Sequence, residues 1–167
     1  TINIKSYESI TNEKDLEKWL KILNEQSIIS VDTETSSLNP LEADLVGISF
    51  SYAPNKACYI PLAQKNIKCL KKELVLKKIK PILEDSSIKK VGQNIKFDFI
   101  IFKQNNIEIN SIEDTMLISY TLDAGTNRHN LDILSEIHLN HKTISFKDIV
   151  GSGKNKMTFE EVDLKKA

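Results

Sequence analysis

Apolar side chains at Leu16, Trp19, Leu20 and Leu23 follow the i, i+3, i+4, i+7 spacing of one helix face, and Asn12 stands where a cap belongs. The spacing predicts a helix from Asn12 to about Gln26. A β-prone run over 28–33 predicts a strand, followed by a turn through Ser36, Ser37, Leu38, Asn39 and Pro40 and by two further strands over 45–52 and 57–62. Only Ala53, Pro54, Asn55 and Lys56 separate the last two, a hairpin-length connection, so this part of the sheet is antiparallel. Beyond Pro61 helix and strand alternate: a helix over about 70–83, a strand over 88–91, a helix opened by Asn94, and helices over about 114–122 and 130–138. Such alternation implies parallel strands with crossovers.

Three antiparallel strands followed by parallel βα units, flanked by helices, are the layout of an α/β ribonuclease H-like mixed sheet. At 167 residues and 40% hydrophobic content the chain suits one domain with a real core. No apolar run approaches the roughly 20 residues of a membrane helix, and Thr1-Ile2-Asn3-Ile4-Lys5 is no signal peptide, so a soluble, intracellular protein without a membrane partner is expected. Basic and acidic residues balance at 23 each, which leaves any polyanion contact to local groups. Arg128 is the single arginine. Seven lysines between Lys65 and Lys80 read either as the solvated side of an amphipathic helix or as a nucleic-acid patch. Cys58 and Cys69 lack metal spacing and read as buried free thiols; His129, His138 and His141 show no nucleophile or ligand pattern. Gly151-Ser152-Gly153-Lys154 fails as a phosphate loop, because Asp148 stands where the first Gly is needed and Asn155 follows the Lys.

The chemistry concentrates at Ile28-Ile29-Ser30-Val31-Asp32-Thr33-Glu34-Thr35. Strand side chains alternate, so Asp32 and Glu34 project from one face, and two like charges that close raise each other's pKa unless a cation sits between them. They read as half of a divalent-metal site, or else as a solvated strand end. Asp98 falls four residues after Asn94, in the expected first turn of a helix whose amides would favour its ionised form; it reads as a ligand or as a simple complement to the helix dipole.

Val31-Asp32-Thr33-Glu34-Thr35-Ser36-Ser37-Leu38, Leu45-Val46-Gly47-Ile48-Ser49-Phe50 and Val91-Gly92-Gln93-Asn94-Ile95-Lys96-Phe97-Asp98 resemble the 3′-5′ proofreading exonuclease domain of bacterial family A DNA polymerases. Asp114-Thr115-Met116-Leu117, Arg128-His129-Asn130-Leu131-Asp132, His141-Lys142-Thr143-Ile144-Ser145-Phe146, Gly151-Ser152-Gly153-Lys154-Asn155 and Thr158-Phe159 continue the likeness in the same order. The resemblance implies two-metal hydrolysis, with Mg²⁺ or Mn²⁺, of the terminal phosphodiester at the 3′ end of single-stranded or frayed DNA. Asp32 would bridge both metals, Glu34 would bind one and touch the terminal 3′-hydroxyl, and Asp98 would support the second. Thr35, Leu38, Gln93, Asn94, Phe97, Arg128 and Phe146 would surround the last nucleotides, although Phe97 and Phe146 could equally be core. The best-known members carry Tyr where this chain has Phe97, which removes a possible hydroxyl contact.

The family's third motif, a Tyr and an Asp at i and i+4 on a helix, has no counterpart before Ala167. Thr158 and Glu161 form a capping box and so predict a helix start, but Asp163 comes too early to be the missing ligand. The reading is therefore one exonuclease domain over residues 1–167, cut from a longer bacterial cytoplasmic polymerase before that motif, with the polymerase domain of the same chain as partner and little activity of its own. A ribonuclease D-like RNA exonuclease and a non-catalytic exonuclease-fold scaffold are the alternatives.

Overall fold

A computed structural model describes residues 6–151 and 157–164. Its six-stranded sheet has the order β1-β4-β3-β2-β5-β6, with β1 at Glu8–Ser9, β2 at Ile28–Thr35, β3 at Leu45–Ala53, β4 at Lys56–Pro61, β5 at Lys89–Gly92 and β6 at Ile112–Asp114. β2, β3 and β4 pair antiparallel, while β5 joins β2, β6 joins β5, and β1 joins β4 in parallel. The expected mixed sheet is present. β1 and β6, of two and three residues, were not anticipated because they are too short to show a period.

The helices are α1 at Glu13–Asn24, α2 at Lys72–Glu84, α3 at Lys96–Gln104, α4 at Thr115–Leu122, α5 at Leu131–Leu139 and α6 at Phe146–Val150. Asn12 caps α1 as expected, its side chain accepting from the Asp15 amide at 3.0 Å, and the helix buries Leu16, Trp19 and Leu23. α2 buries Val75, Ile79, Ile82 and Leu83. Its lysines stay on the outer side, where Lys78 pairs with Glu17 and Lys80 with Glu84, so the solvated-face reading of that segment fits. These helices cover the sheet face that carries Ile29, Val31, Ile48, Phe50 and Ile60, and together they form the main core. The opposite face of β2 presents Ser30, Asp32 and Glu34.

Two irregularities shape the sheet. Ala53 pairs with Lys56 across Pro54 and Asn55, the left-handed Asn55 (φ 63°) closing the expected hairpin. At the other end Glu34 pairs with Gly47 and Thr35 with Leu45, so Val46 is a bulge. Leu45 then enters the main core, and Val46 joins a second cluster with Tyr59, Val150, Phe159 and Val162.

The thiols are free, Cys58 buried and Cys69 only half-buried. The expected helix at Thr158 is a single 3₁₀ turn over Phe159–Glu161: Glu161 accepts from the Thr158 amide at 3.0 Å, as a capping box should, but the chain turns extended at Val162. Residues 152–156, and with them most of the Gly-Ser-Gly-Lys segment, lie outside the described residues. So do residues 165–167.

Candidate active site

Asp32 and Glu34 stand on the open face of β2, opposite Ser49 and Gly47 of β3 in the ladder. Glycine is required beside Glu34 because the Tyr59 ring crosses β3 there: a Cβ on Gly47 would lie 2.0 Å from the Tyr59 hydroxyl. That hydroxyl donates to Gln64 Oε1 at 3.2 Å, and the buried Gln64 amide donates to the Phe159 carbonyl at 3.1 Å. Burial, and then the Glu34 carboxylate, hold the Tyr59 hydroxyl protonated well above the usual phenol range. Gly47→Ala is expected to lower stability by about 1–3 kcal/mol through overpacking. Urea unfolding measures it as a double-mutant cycle: Gly47→Ala should cost much less in a Tyr59→Ala background than in the parent chain, and an unchanged cost there would remove Tyr59 as the cause.

Asp98 reaches β2 from α3. Its Oδ1 accepts from the Thr33 amide at 2.9 Å and from the Thr33 hydroxyl at 2.5 Å, across 65 residues of sequence. The expectation that Asn94 caps α3 and that the helix favours an ionised Asp98 is corrected on both counts. Asn94 is left-handed (φ 58°) and Ile95 holds the cap position without a side-chain bond. Asp114 satisfies the turn instead, accepting from the Asn94 amide at 3.0 Å and the Ile95 amide at 3.1 Å. Burial outweighs the Thr33 bonds and raises the Asp98 pKa.

The strand acids are perturbed further. Asp32 keeps a solvent-open side, yet the protein around its carboxyl pushes it up to about 7, chiefly by desolvation and then through Asp98. Glu34 rises to about 8, by desolvation first and then through Asp32 and Asp98. The three carboxyls thus share one electrostatic neighbourhood. Among the described residues no group of three or more His, Cys, Asp or Glu side chains closes tightly enough to hold an ion as it stands. The donor set is nevertheless the hard, anionic oxygen chemistry that Mg²⁺ and Mn²⁺ prefer, and acids this strongly protonated are those a cation would relieve.

The other candidates divide into two groups. Leu38 is 90% exposed, Phe146 is half exposed, and Asn94 and Arg128 lie at the surface. Phe146 stacks on Phe159 with centroids 6.3 Å apart, so it is tied through Gln64 and Tyr59 to the acid strand. Thr35, Gln93 and Phe97 are engaged within the protein. Thr35 donates to the Ser37 carbonyl at 3.0 Å, and Phe97 packs partly against the main core. Gln93 accepts from the Thr115 hydroxyl at 2.5 Å and donates to the His129 carbonyl at 2.7 Å, fastening the segment next to Arg128. Thr33, Gly47, Tyr59, Gln64 and Asp114 were missed as site-building residues. Thr33, Gly47 and Asp114 stand in the motifs that carry the resemblance, Asp114 also as an acid just before a helix, whereas nothing in the sequence singled out Tyr59 or Gln64.

A mixed sheet in this order, with two carboxylates on the strand where its antiparallel and parallel pairings meet and a third on α3, defines a ribonuclease H-like α/β domain. The chain belongs to the 3′-5′ exonuclease family, which it matches over residues 7–162. It is 38% identical to DNA polymerase I of Rhizobium leguminosarum over 182 residues, an alignment that covers 97% of this chain and 18% of that protein. The chain therefore spans under a fifth of that relative's length. Among solved structures the Nibbler EXO domain of Aedes aegypti superposes with a TM-score of 0.70 at 13% identity, over 87% of this chain and 74% of that one. NrnC of Brucella melitensis with bound Mg²⁺ gives 0.60 at 21%, over 83% and 62%.

Proposed function

We propose that the chain is the proofreading exonuclease part of a longer bacterial cytoplasmic DNA polymerase, removing nucleotides from the 3′ end of single-stranded or frayed DNA with Mg²⁺ or Mn²⁺. The convergence of Asp98, from α3, on the strand bearing Asp32 and Glu34 carries the reading. These three would supply the carboxylate oxygens for the ions. Bound there, divalent ions would provide a hydroxide near neutral pH and neutralise charge on the leaving oxygen. Thr33 holds Asp98, and Tyr59 keeps a neutral, apolar wall beside Glu34. Exposed Leu38 and Phe146 offer faces on which terminal bases can rest whatever their sequence, with Arg128 as the phosphate partner. A longer chain is supported by the length of the DNA polymerase I relative and by the apolar surface of α4 and α5, where Leu117, Tyr120, Leu122, Leu131 and Leu139 are exposed.

The test incubates the intact polymerase with 5′-labelled single strands of DNA and RNA in Mn²⁺. Stepwise shortening from the 3′ end, faster on DNA, is expected. Preference for RNA would make the domain a ribonuclease, and no shortening of either strand would make it a scaffold.

A further inference from the structure

We propose that Asp114 is a positioning residue whose single carboxylate locks the entry of α3 to the start of α4 and so fixes where Asp98 meets β2. Asp114 ends β6 opposite Gly92 of β5 and is 8% exposed. Oδ1 accepts from the Asn94 amide at 3.0 Å and the Met116 amide at 2.9 Å, and Oδ2 accepts from the Ile95 amide at 3.1 Å. These amides lead into or begin two different helices, where backbone donors lack intrahelical partners. The two oxygens of one carboxyl group satisfy all three at once.

The turn has little slack. A Cβ on Gly92 would stand 2.9 Å from the Ile95 side chain, and Asn94 is left-handed, so β5 passes into α3 within three residues. Asp98 follows Ile95 by less than one helical turn. A displacement of the Ile95 amide is carried by that rigid turn to the Asp98 carboxyl, which must meet both donors of Thr33. The neighbouring Thr115 hydroxyl contacts the Gly92 carbonyl at 3.0 Å and Gln93 Oε1 at 2.5 Å, so one junction also governs the Gln93 bridge to His129. With both oxygens occupied by amides, Asp114 orients the acid site without joining it.

The inference rests on Asp32, Glu34 and Asp98 being cation ligands. It is tested in the full chain with Asp114→Ala and Asp114→Asn, reading amide hydrogen exchange at Asn94, Ile95 and Met116, the Mn²⁺ dissociation constant by calorimetry, and single-strand kcat and KM. Asp114→Ala is expected to speed exchange at all three amides, weaken Mn²⁺ binding about tenfold or more, and lower kcat in proportion with little change in KM. Asp114→Asn keeps an oxygen for Asn94 and Met116, loses the acceptor for Ile95, and should fall between. Faster exchange with wild-type Mn²⁺ affinity would overturn the proposal. If the alanine variant does not fold, the asparagine variant decides by the same comparison at Ile95. Wild-type protein that binds Mn²⁺ but cleaves no strand would defeat the nuclease reading alone, whereas wild-type protein that binds no Mn²⁺ would defeat the positioning role with it.

Discussion

On the proposed function, Asp32→Ala or Asp98→Ala, made in the intact polymerase, should lower 3′-terminal excision by about three orders of magnitude while polymerisation continues, because each removes a carboxylate that would hold the cations neutralising charge at the transition state. Their stabilities should differ. Asp98→Ala leaves the buried Thr33 amide and hydroxyl without their acceptor, at a cost of about 1–3 kcal/mol, whereas Asp32→Ala relieves repulsion and costs little. Excision rates on a labelled strand, read beside thermal melts, separate the two effects. An Asp98 variant that excises normally would move the third acid elsewhere, and Asp114, already holding three amides, is a poor substitute.

The second large effect links pH, metal and folding. Asp32 sits near 7 and Glu34 near 8 in the folded chain, against ordinary values of 3.8 and 4.5. Between about pH 4 and pH 8 the folded state therefore holds protons that the unfolded state has released, and stability falls as pH rises. Without divalent ions the melting temperature should drop by about 5 °C or more between pH 5 and pH 8.5, the open side of Asp32 moderating the change. Mn²⁺ should restore it at pH 8.5 and do little at pH 5, where the carboxyls are already protonated. Asp32→Asn should flatten the metal-free profile and raise its alkaline end. Calorimetric melts across that range decide the matter, and metal-free stability that climbs with pH would mean the acids are not held in this environment.

The antiparallel core was legible from a hairpin-length connection, and the paired acids from the period of two along one strand. Asp98 was legible as an acid near a helix start, but its partner was not, since Thr33 lies 65 residues away. Asn94 misled for a related reason: asparagine serves equally as a helix cap and as a left-handed turn residue, and the acid that made the second choice workable stands 20 residues on. The bulge at Val46 and the Tyr59 ring over Gly47 depend on register across strands, which hydrophobic pattern alone does not specify closely enough. Phe146 was ambiguous between substrate and core. It is half exposed yet stacked on buried Phe159, so the alternatives were not exclusive.

The bulge sends neighbouring residues of β3 into two buried clusters of unequal size. Among the described residues more than twenty buried apolar side chains secure the sheet and its helices, against five, Val46, Tyr59, Val150, Phe159 and Val162, in the cluster that seats the segment carrying Phe146. Local opening at that end therefore requires far less free energy than global unfolding. Phe146, the face proposed for a terminal base, thus rides on the end that can loosen and reseat, while Asp32, Glu34 and Asp98 stay with the sheet and its main core.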